Sequence, residues 1–508
     1  MKLLTLTLAV CGMSCGSKPA ALPPQQLSPS APVASPTPAV PAKSLSGIWL
    51  GSLHPGGKEL RVQVHLDLAT TPAGCSLDSL DQHAIGIPCS DVAATATTLS
   101  LDVPAVKGVL TGTVSADGDT VTATWTQGGA PMPIVMTRQS RALDVPKVAL
   151  DPAMPPVAID KIQEVMDADL AKLSASELAP ETGIGVTIGV ALHGKQRIFS
   201  YGAAKPDSVF EIGSVTKTFT GLVLAQLVEQ HKVRLDEPVR ELLPKGTVAA
   251  PTTGPEITLA DLSAQRSGLP RLPDNMSPTD PANPYADYDA KALYTYIGSH
   301  GVAMPAKPEF AYSNLGVGLL GQALADRAGM TYEALVKKEV TGPLGMHDTA
   351  ITLSPAMAKR FLPGHGAKHE PARSWDLAAL SGAGAIRSTA ADMLVYLEAQ
   401  LHPDSLPVRG SAEARTLAAA IIASHVIQAE AGGGMHIALN WFRVDETGSY
   451  WHDGATGGYC SFAVFDPDKD FAVIVLVNRS IEDGVLADDI GKHVVQRLTG
   501  KPAPTLAP

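Results

Sequence analysis

Three short patterns in this 508-residue chain hold side chains that can carry out acyl transfer. The first is Ser214-Val215-Thr216-Lys217, which follows directly on Phe210-Glu211-Ile212-Gly213. A serine hydroxyl is a weak nucleophile near neutral pH and needs a base within hydrogen-bond reach. An amine one helical turn away can be that base if its pKa is lowered. The second pattern, Tyr312-Ser313-Asn314, sets a phenol that can shuttle a proton beside a carboxamide that can bind a substrate. The third, His452-Asp453-Gly454-Ala455, puts an imidazole ahead of a glycine. Bare backbone there lets a substrate lie along a strand edge and bind main-chain groups. Each pattern alone is weak; roughly one Ser-x-x-Lys is expected by chance in a chain of this length.

The elements around these residues strengthen the reading. Val215, Phe219, Leu222, Val223 and Leu227 recur at the spacing of one helical face. Ser214 therefore stands at or near a helix start, with Lys217 on the same face one turn on. The free N–H groups and dipole of a helix start favour developing negative charge. Strand-like runs at 184–192 and 196–201, joined by a three-residue hairpin, precede this helix, and a helical pattern at 159–173 precedes them. Residues 235–430 read as helices and loops, with long surface loops at 278–288 and 364–375. Apolar runs at 436–444, 459–465 and 471–478 restore strand character before a closing helix at 481–498. Strands at both ends with helices between predict an antiparallel sheet flanked by helices, plus an all-α insertion and a cleft between the two.

Upstream the texture changes. Residues 45–138 carry short alternating runs separated by turn signals, the pattern of a small all-β sandwich or barrel with Trp49 and Trp125 in its core. Residues 139–156 hold four prolines and form a linker ahead of a hydrolase domain at 157–500. Residues 16–44 are Pro, Ala and Ser with almost no large apolar side chain, a disordered tether. Residues 1–15 give a charged start, a short apolar run at 3–10, and Cys11 and Cys15. This resembles a bacterial lipoprotein signal, so export is expected, with the membrane touched only through a lipid on one of these cysteines. Cys75 and Cys89 either close a disulfide, worth roughly 3 kcal/mol, or remain two core thiols.

With 45% apolar and 18% charged residues the chain is mostly globular. A net charge of −11 without a basic run argues against a nucleic-acid partner. No Cys/His cluster has zinc spacing, so neither metal nor cofactor is expected.

Taken in order, Ser-x-x-Lys, Tyr-x-Asn and His-x-Gly resemble the three motifs of the serine β-lactamases and penicillin-binding proteins. The match is to the class C branch, shared with DD-carboxypeptidases, D-aminopeptidases and family VIII carboxylesterases. Leu235-Asp236-Glu237-Pro238-Val239, Ser267-Gly268-Leu269-Pro270 and the stretch from Gly384 to Met393 are similar to that family too. The resemblance covers about 157–500 and implies a β-lactamase/transpeptidase-like fold. It makes Ser214 the acylated nucleophile, with Lys217 and Tyr312 sharing proton transfer. Asn314 would hold the acyl side-chain amide, and His452 would tune Tyr312. Strand residues Gly454 and Ala455 would bind substrate, the N–H groups of Ser214 and Ala455 forming the oxyanion hole. Which of Lys217 and Tyr312 takes the first proton stays open. The implied substrate is a β-lactam or peptidoglycan-derived amide, with small acyl esters the alternative and a non-catalytic sensor the rival class. Two positions depart from the family: Asp453 stands where the lactamases carry a hydroxyl, and Ala264-Gln265-Arg266 replaces a stretch that usually holds His or Tyr followed by Thr.

Overall fold

The computed structural model describes residues 44–54, 59–82, 84–127, 130–143, 150–406, 412–480 and 486–506. The expected signal and tether, including Cys11 and Cys15, lie outside the described residues, as does part of the linker. Among the described residues no helix is long and apolar enough to cross a membrane.

The strands between Gly47 and Gln139 form one nine-stranded antiparallel sheet. Counted along the chain, its spatial order is 4-3-2-1-9-8-7-6-5. The two edge strands, Ala84–Pro88 and Ser90–Ala94, are consecutive in sequence and flank Cys89. Cys89 is disulfide-bonded to Cys75 of the third strand, and this settles the choice left open between a bridge and two thiols. A single continuous sheet that brings its own edges together belongs to the barrel alternative. Trp49 and Trp125 lie in its core with Val64, Leu101 and Leu110.

The hydrolase region is built on an eight-stranded antiparallel sheet. Its spatial order runs Lys195–Gly202, Gly185–Leu192, Phe471–Val477, Cys460–Asp466, Tyr450–Ala455, Phe442–Val444, Met435–Ile437 and Ala429–Gly432. The first two strands are joined by His193 and Gly194 alone, at φ 50° and 73°. A two-residue loop with both φ positive matches strand twist, so the hairpin is one residue shorter than the sequence suggests. Strands Cys460–Asp466 and Phe471–Val477 are buried throughout. Period-two alternation divides their side chains between two cores. Val473, Val475 and Val477 face the helices Ile162–Asp169 and Leu486–Thr499, while Ala472, Ile474 and Leu476 face the larger core around the Ser214 helix.

Other expectations shift at their ends. The helical pattern at 159–173 breaks at Leu170, where Asp169 turns to pair with His493 and Arg497. The apolar run at 436–444 is two short strands around a turn with Asn440 at φ 65°. It is apolar because Leu439 and Trp441 at the turn are buried against the Ser214 helix. The closing helix is described over Leu486–Thr499, and the expected start at 481–485 lies outside the described residues. Strand Leu150–Asp151 pairs with Ala503–Pro504, and Leu506 shares a core with Val157. The β-region also touches the hydrolase region: Lys107 Nζ donates to the Phe310 carbonyl at 3.0 Å and pairs with Glu309.

Candidate active site

Ser214 sits in a single 3₁₀ turn, Gly213–Val215, that runs directly into the helix Thr216–Glu229. This helix is buried from Thr216 through Leu227, as expected of one apolar on nearly every side. The turn before it is pinned from two directions. Ile212 N–H donates to the Ile386 carbonyl at 3.0 Å, and Thr216 Oγ1 accepts from Ile386 N–H at 3.1 Å. Beside it the strand pair Phe210–Glu211 and Arg387–Ser388 is held by a buried Glu211–Arg387 ion pair at 3.0 Å.

Lys217 is fully buried one turn along. Its Nζ lies 3.0 Å from Ser214 Oγ, 2.8 Å from Asn314 Oδ1 and 2.7 Å from the Ala383 carbonyl. Burial depresses its pKa well below the ordinary lysine value; the Arg271 charge depresses it further and Asp453 opposes. The amine is thus held toward its neutral form.

Tyr312 precedes the helix Asn314–Ala328, whose N-cap is Ser313, the middle residue of the second pattern. Ser313 Oγ accepts from Gly316 N–H at 2.8 Å and donates to the Pro270 carbonyl at 2.6 Å. Gln265, one of the departing positions, braces the same segment. Its carbonyl accepts from Ala311 N–H at 2.7 Å, and its side chain accepts from Ser313 N–H at 2.8 Å. Gln265 is buried at φ 58° and reaches Asn440, so it positions Tyr312 rather than meeting substrate. Lys217 Nζ lies 4.8 Å from the Tyr312 ring centroid. Burial holds the Tyr312 phenol well above its usual range, and its interaction with Ser214 offsets this in part.

The third wall is the strand Tyr450–Ala455. Its approach to the nucleophile turn depends on glycine at two places. A Cβ on Gly454 would collide with the Ile212 carbonyl and stand 3.0 Å from Ser214 N. A Cβ on Gly213, at φ 49°, would stand 2.6 Å from Ala455 N. His452 points inward, buried, its ring 6.3 Å from that of Tyr312. Its Nδ1 lies 2.6 Å from the Asp453 carbonyl, which can only accept, so Nδ1 carries the proton. Nε2 is then a bare acceptor, buried without a partner. Burial pulls the His452 pKa down to about 4, with Asp453 opposing, so the ring is neutral across ordinary pH. The Asp453 carboxylate, 39% exposed, lies 3.8 Å from His452 Nδ1. Its register partner is Phe462, on the side of the helix Leu486–Thr499, and from the strand its charge acts on Asp488 as well as on Lys217 and Tyr312.

All seven residues read from the sequence converge here. Three further contributors were not singled out: the Ala383 carbonyl, Arg271 over the Tyr312 ring, and Tyr285, whose hydroxyl meets Asn314; Gln265 was noted only as a departure from the family. A backbone carbonyl has no sequence signature, but Tyr285 falls in one of the surface loops flagged above. An apolar cavity of about 430 Å³, lined by Trp451, Phe462 and Val464, lies on the other side of the sheet and contains none of these groups. Cys460 is buried, its thiol pushed up to about 12, and offers no competing nucleophile.

A nucleophile turn, a buried lysine and a glycine strand edge in this arrangement define a class. The model of the Beta-lactamase family matches residues 174–496, and the chain belongs to that family. It is similar to the D-alanyl-D-alanine-carboxypeptidase/endopeptidase AmpH of Escherichia coli K12, 29% identical over 311 residues, 57% of this chain and 78% of that one. A beta-lactamase of Yersinia enterocolitica is 27% identical over 65% of this chain and 91% of its own. Penicillin-binding protein 4 of Amycolatopsis lactamdurans is 25% identical over 66% and 84%. The chain is accordingly a serine hydrolase of the β-lactamase/DD-peptidase type.

Proposed function

We propose that the protein is an exported hydrolase that cleaves an amide or ester, of the β-lactam or D-Ala-peptide type, through an acyl intermediate on Ser214. The observation that carries this reading is the surroundings of Lys217 Nζ, which meets two carbonyl oxygens and one hydroxyl. A neutral amine has two N–H bonds and one lone pair. With the N–H bonds donated to Asn314 Oδ1 and the Ala383 carbonyl, the lone pair faces the Ser214 hydroxyl. A protonated amine has no acceptor capacity to offer there.

In acylation, Ser214 Oγ bonds to the substrate carbonyl carbon while its proton passes to Lys217 Nζ. The N–H groups of Ser214 and Ala455 receive the oxyanion, a contribution worth roughly 10²–10³ in rate. Collapse breaks the C–N or C–O bond, and the departing group takes a proton through the Tyr312 phenol, which Lys217 resupplies. The neutral, raised phenol suits a donor, and the bare Nε2 of His452 can accept its hydrogen bond. Water then attacks the acyl carbon as its proton passes by way of the Tyr312 phenol to the neutral Lys217 amine; on collapse the same proton returns to Ser214 Oγ, releasing Ser214 and a carboxylic acid. The scheme needs no metal or cofactor.

Asp453 supports a second reading, small neutral acyl esters, because its carboxylate disfavours an anion against the strand. Export is supported by the Cys75–Cys89 disulfide, which persists in an oxidising compartment. The test is labelling by a fluorescent penicillin and a fluorophosphonate, with turnover of a cephalosporin, a D-Ala-D-Ala peptide and p-nitrophenyl esters. Label on the wild type and none on Ser214→Ala, with unchanged circular dichroism, is the expected result. Turnover persisting in Ser214→Ala would end the proposal.

A further inference from the structure

We infer that Arg271 is a specificity residue of this site: it anchors a substrate carboxylate on the helical wall of the cleft. The inference rests on the acyl-serine reading for its substrate class, amides whose departing amino acid keeps a free carboxylate.

The backbone at Arg271 is fixed by the helix that follows Tyr312. Leu315 N–H donates to the Arg271 carbonyl at 3.2 Å, and Ser313 Oγ donates to the neighbouring Pro270 carbonyl. From this fixed point the guanidinium lies over the Tyr312 ring, 5.3 Å from its centroid. The residue is exposed, and among the described residues its side chain forms no ion pair. Other arginines around the cleft are taken: Arg387 by Glu211, Arg266 by Asp261 and Arg373 by Asp280. The remaining basic groups of the cluster, Lys217 and His452, are held toward neutrality by burial. Arg271 is left exposed over the Tyr312 ring, without a carboxylate partner among the described residues. Asp453, 39% exposed on the strand, is a negative charge whose influence reaches Lys217 and Tyr312. An anionic substrate group is repelled by the strand and drawn to the helical wall, where a guanidinium can meet it with two parallel hydrogen bonds.

The test compares a peptide ending in D-Ala-D-Ala with the same peptide as its C-terminal amide. Binding is measured by calorimetry in Ser214→Ala and in Ser214→Ala/Arg271→Gln. Turnover is measured in wild type, Arg271→Gln and Arg271→Lys on the pH plateau, with p-nitrophenyl acetate as the neutral control. The acid should bind about 10- to 100-fold more tightly than the amide, and Arg271→Gln should erase that difference. In turnover the loss should fall mainly on KM for the acid, at least about tenfold larger than the loss on the amide or the acetate ester, with partial recovery in Arg271→Lys. Acid and amide binding alike in Ser214→Ala, or neither binding, overturns the role of Arg271. So does an equal loss on all three substrates, which would make the residue a mere support for Tyr312. Failure of Ser214 to take up label would instead overturn the acyl-serine reading, and the binding comparison would still judge Arg271.

Discussion

Lys217 offers the sharpest test of the chemistry. An ordinary lysine with a pKa near 10.4 is neutral in only about one molecule in 2,500 at pH 7. Each unit by which that pKa falls makes about tenfold more molecules competent, worth about 1.4 kcal/mol on the acylation barrier. Burial of Nζ is the main cause, and Arg271 adds to it. The acylation rate should therefore rise with pH through the depressed lysine pKa, flatten above it, and be lost as pH falls below it. A Tyr312 phenolate as base would place the rising limb at much higher pH. Burial raises that phenol, so the rate would keep climbing beyond pH 9. Lys217→Met should lower the plateau about 10²–10⁴-fold and abolish the limb. Lys217→Arg should fail equally, because a guanidinium does not surrender its proton. Two neighbours should move the limb in opposite directions. Arg271 and Lys217 flank the same ring at 5.3 and 4.8 Å. At about 10 Å and an effective dielectric near 20 their repulsion is roughly 1–2 kcal/mol before screening. Arg271→Gln should raise the midpoint, and Asp453→Asn lower it, each by several tenths of a pH unit to about one. The assay is stopped-flow acylation by a fluorescent penicillin or p-nitrophenyl acetate from pH 5 to 11. A Lys217→Met variant within tenfold of wild type, or a wild-type rate still rising tenfold per unit above pH 9, would refute the reasoning.

Gly454→Val should reduce acylation by more than about 100-fold while leaving the circular dichroism spectrum unchanged, since the strand must back away from Ser214 N and take the Ala455 oxyanion donor with it. Asp488 is pushed up to about 7, first by burial and then by Asp453. The folded state keeps this proton to higher pH than the unfolded chain, so stability is lost as pH rises from about 4 to 7, by at most about 4 kcal/mol. Asp488→Asn should then stabilise the protein by about 1–4 kcal/mol at pH 8 and hardly at all at pH 4, read from urea midpoints. Asp169→Asn should cost about 3–5 kcal/mol, because it strips the buried Arg497 and His493 of their shared carboxylate. A chain beginning near residue 155 should keep its turnover of small substrates, although it forgoes the Lys107 contact to Phe310; a folded but inactive product would show that the β-region shapes the site.

What the sequence determined by itself was local. Ser-x-x-Lys ahead of a helical apolar period is enough to put a hydroxyl and an amine on one face, because a helix sets that geometry within a turn. Alternation was enough for the strands, and glycine ahead of Ala455 for a backbone that something must approach closely. Errors fell where an apolar residue serves something other than a strand, as at Leu439 and Trp441. There burial alone produced the signal while a left-handed Asn440 turned the chain. Tertiary structure decided the rest. Lys217 finds its acceptors 97 and 166 residues away, and one of them is a main-chain oxygen that any residue would supply. Its lowered pKa is a property of the closed core, not of the motif. Gln265 reads as a missing family residue until its side chain is seen holding Ser313 N–H. Asp453 and Arg271 are ordinary surface charges in the sequence. They acquire meaning because a strand and a loop from distant parts of the chain bring both within reach of Lys217 and Tyr312, and charge acts through space without regard to order along the chain.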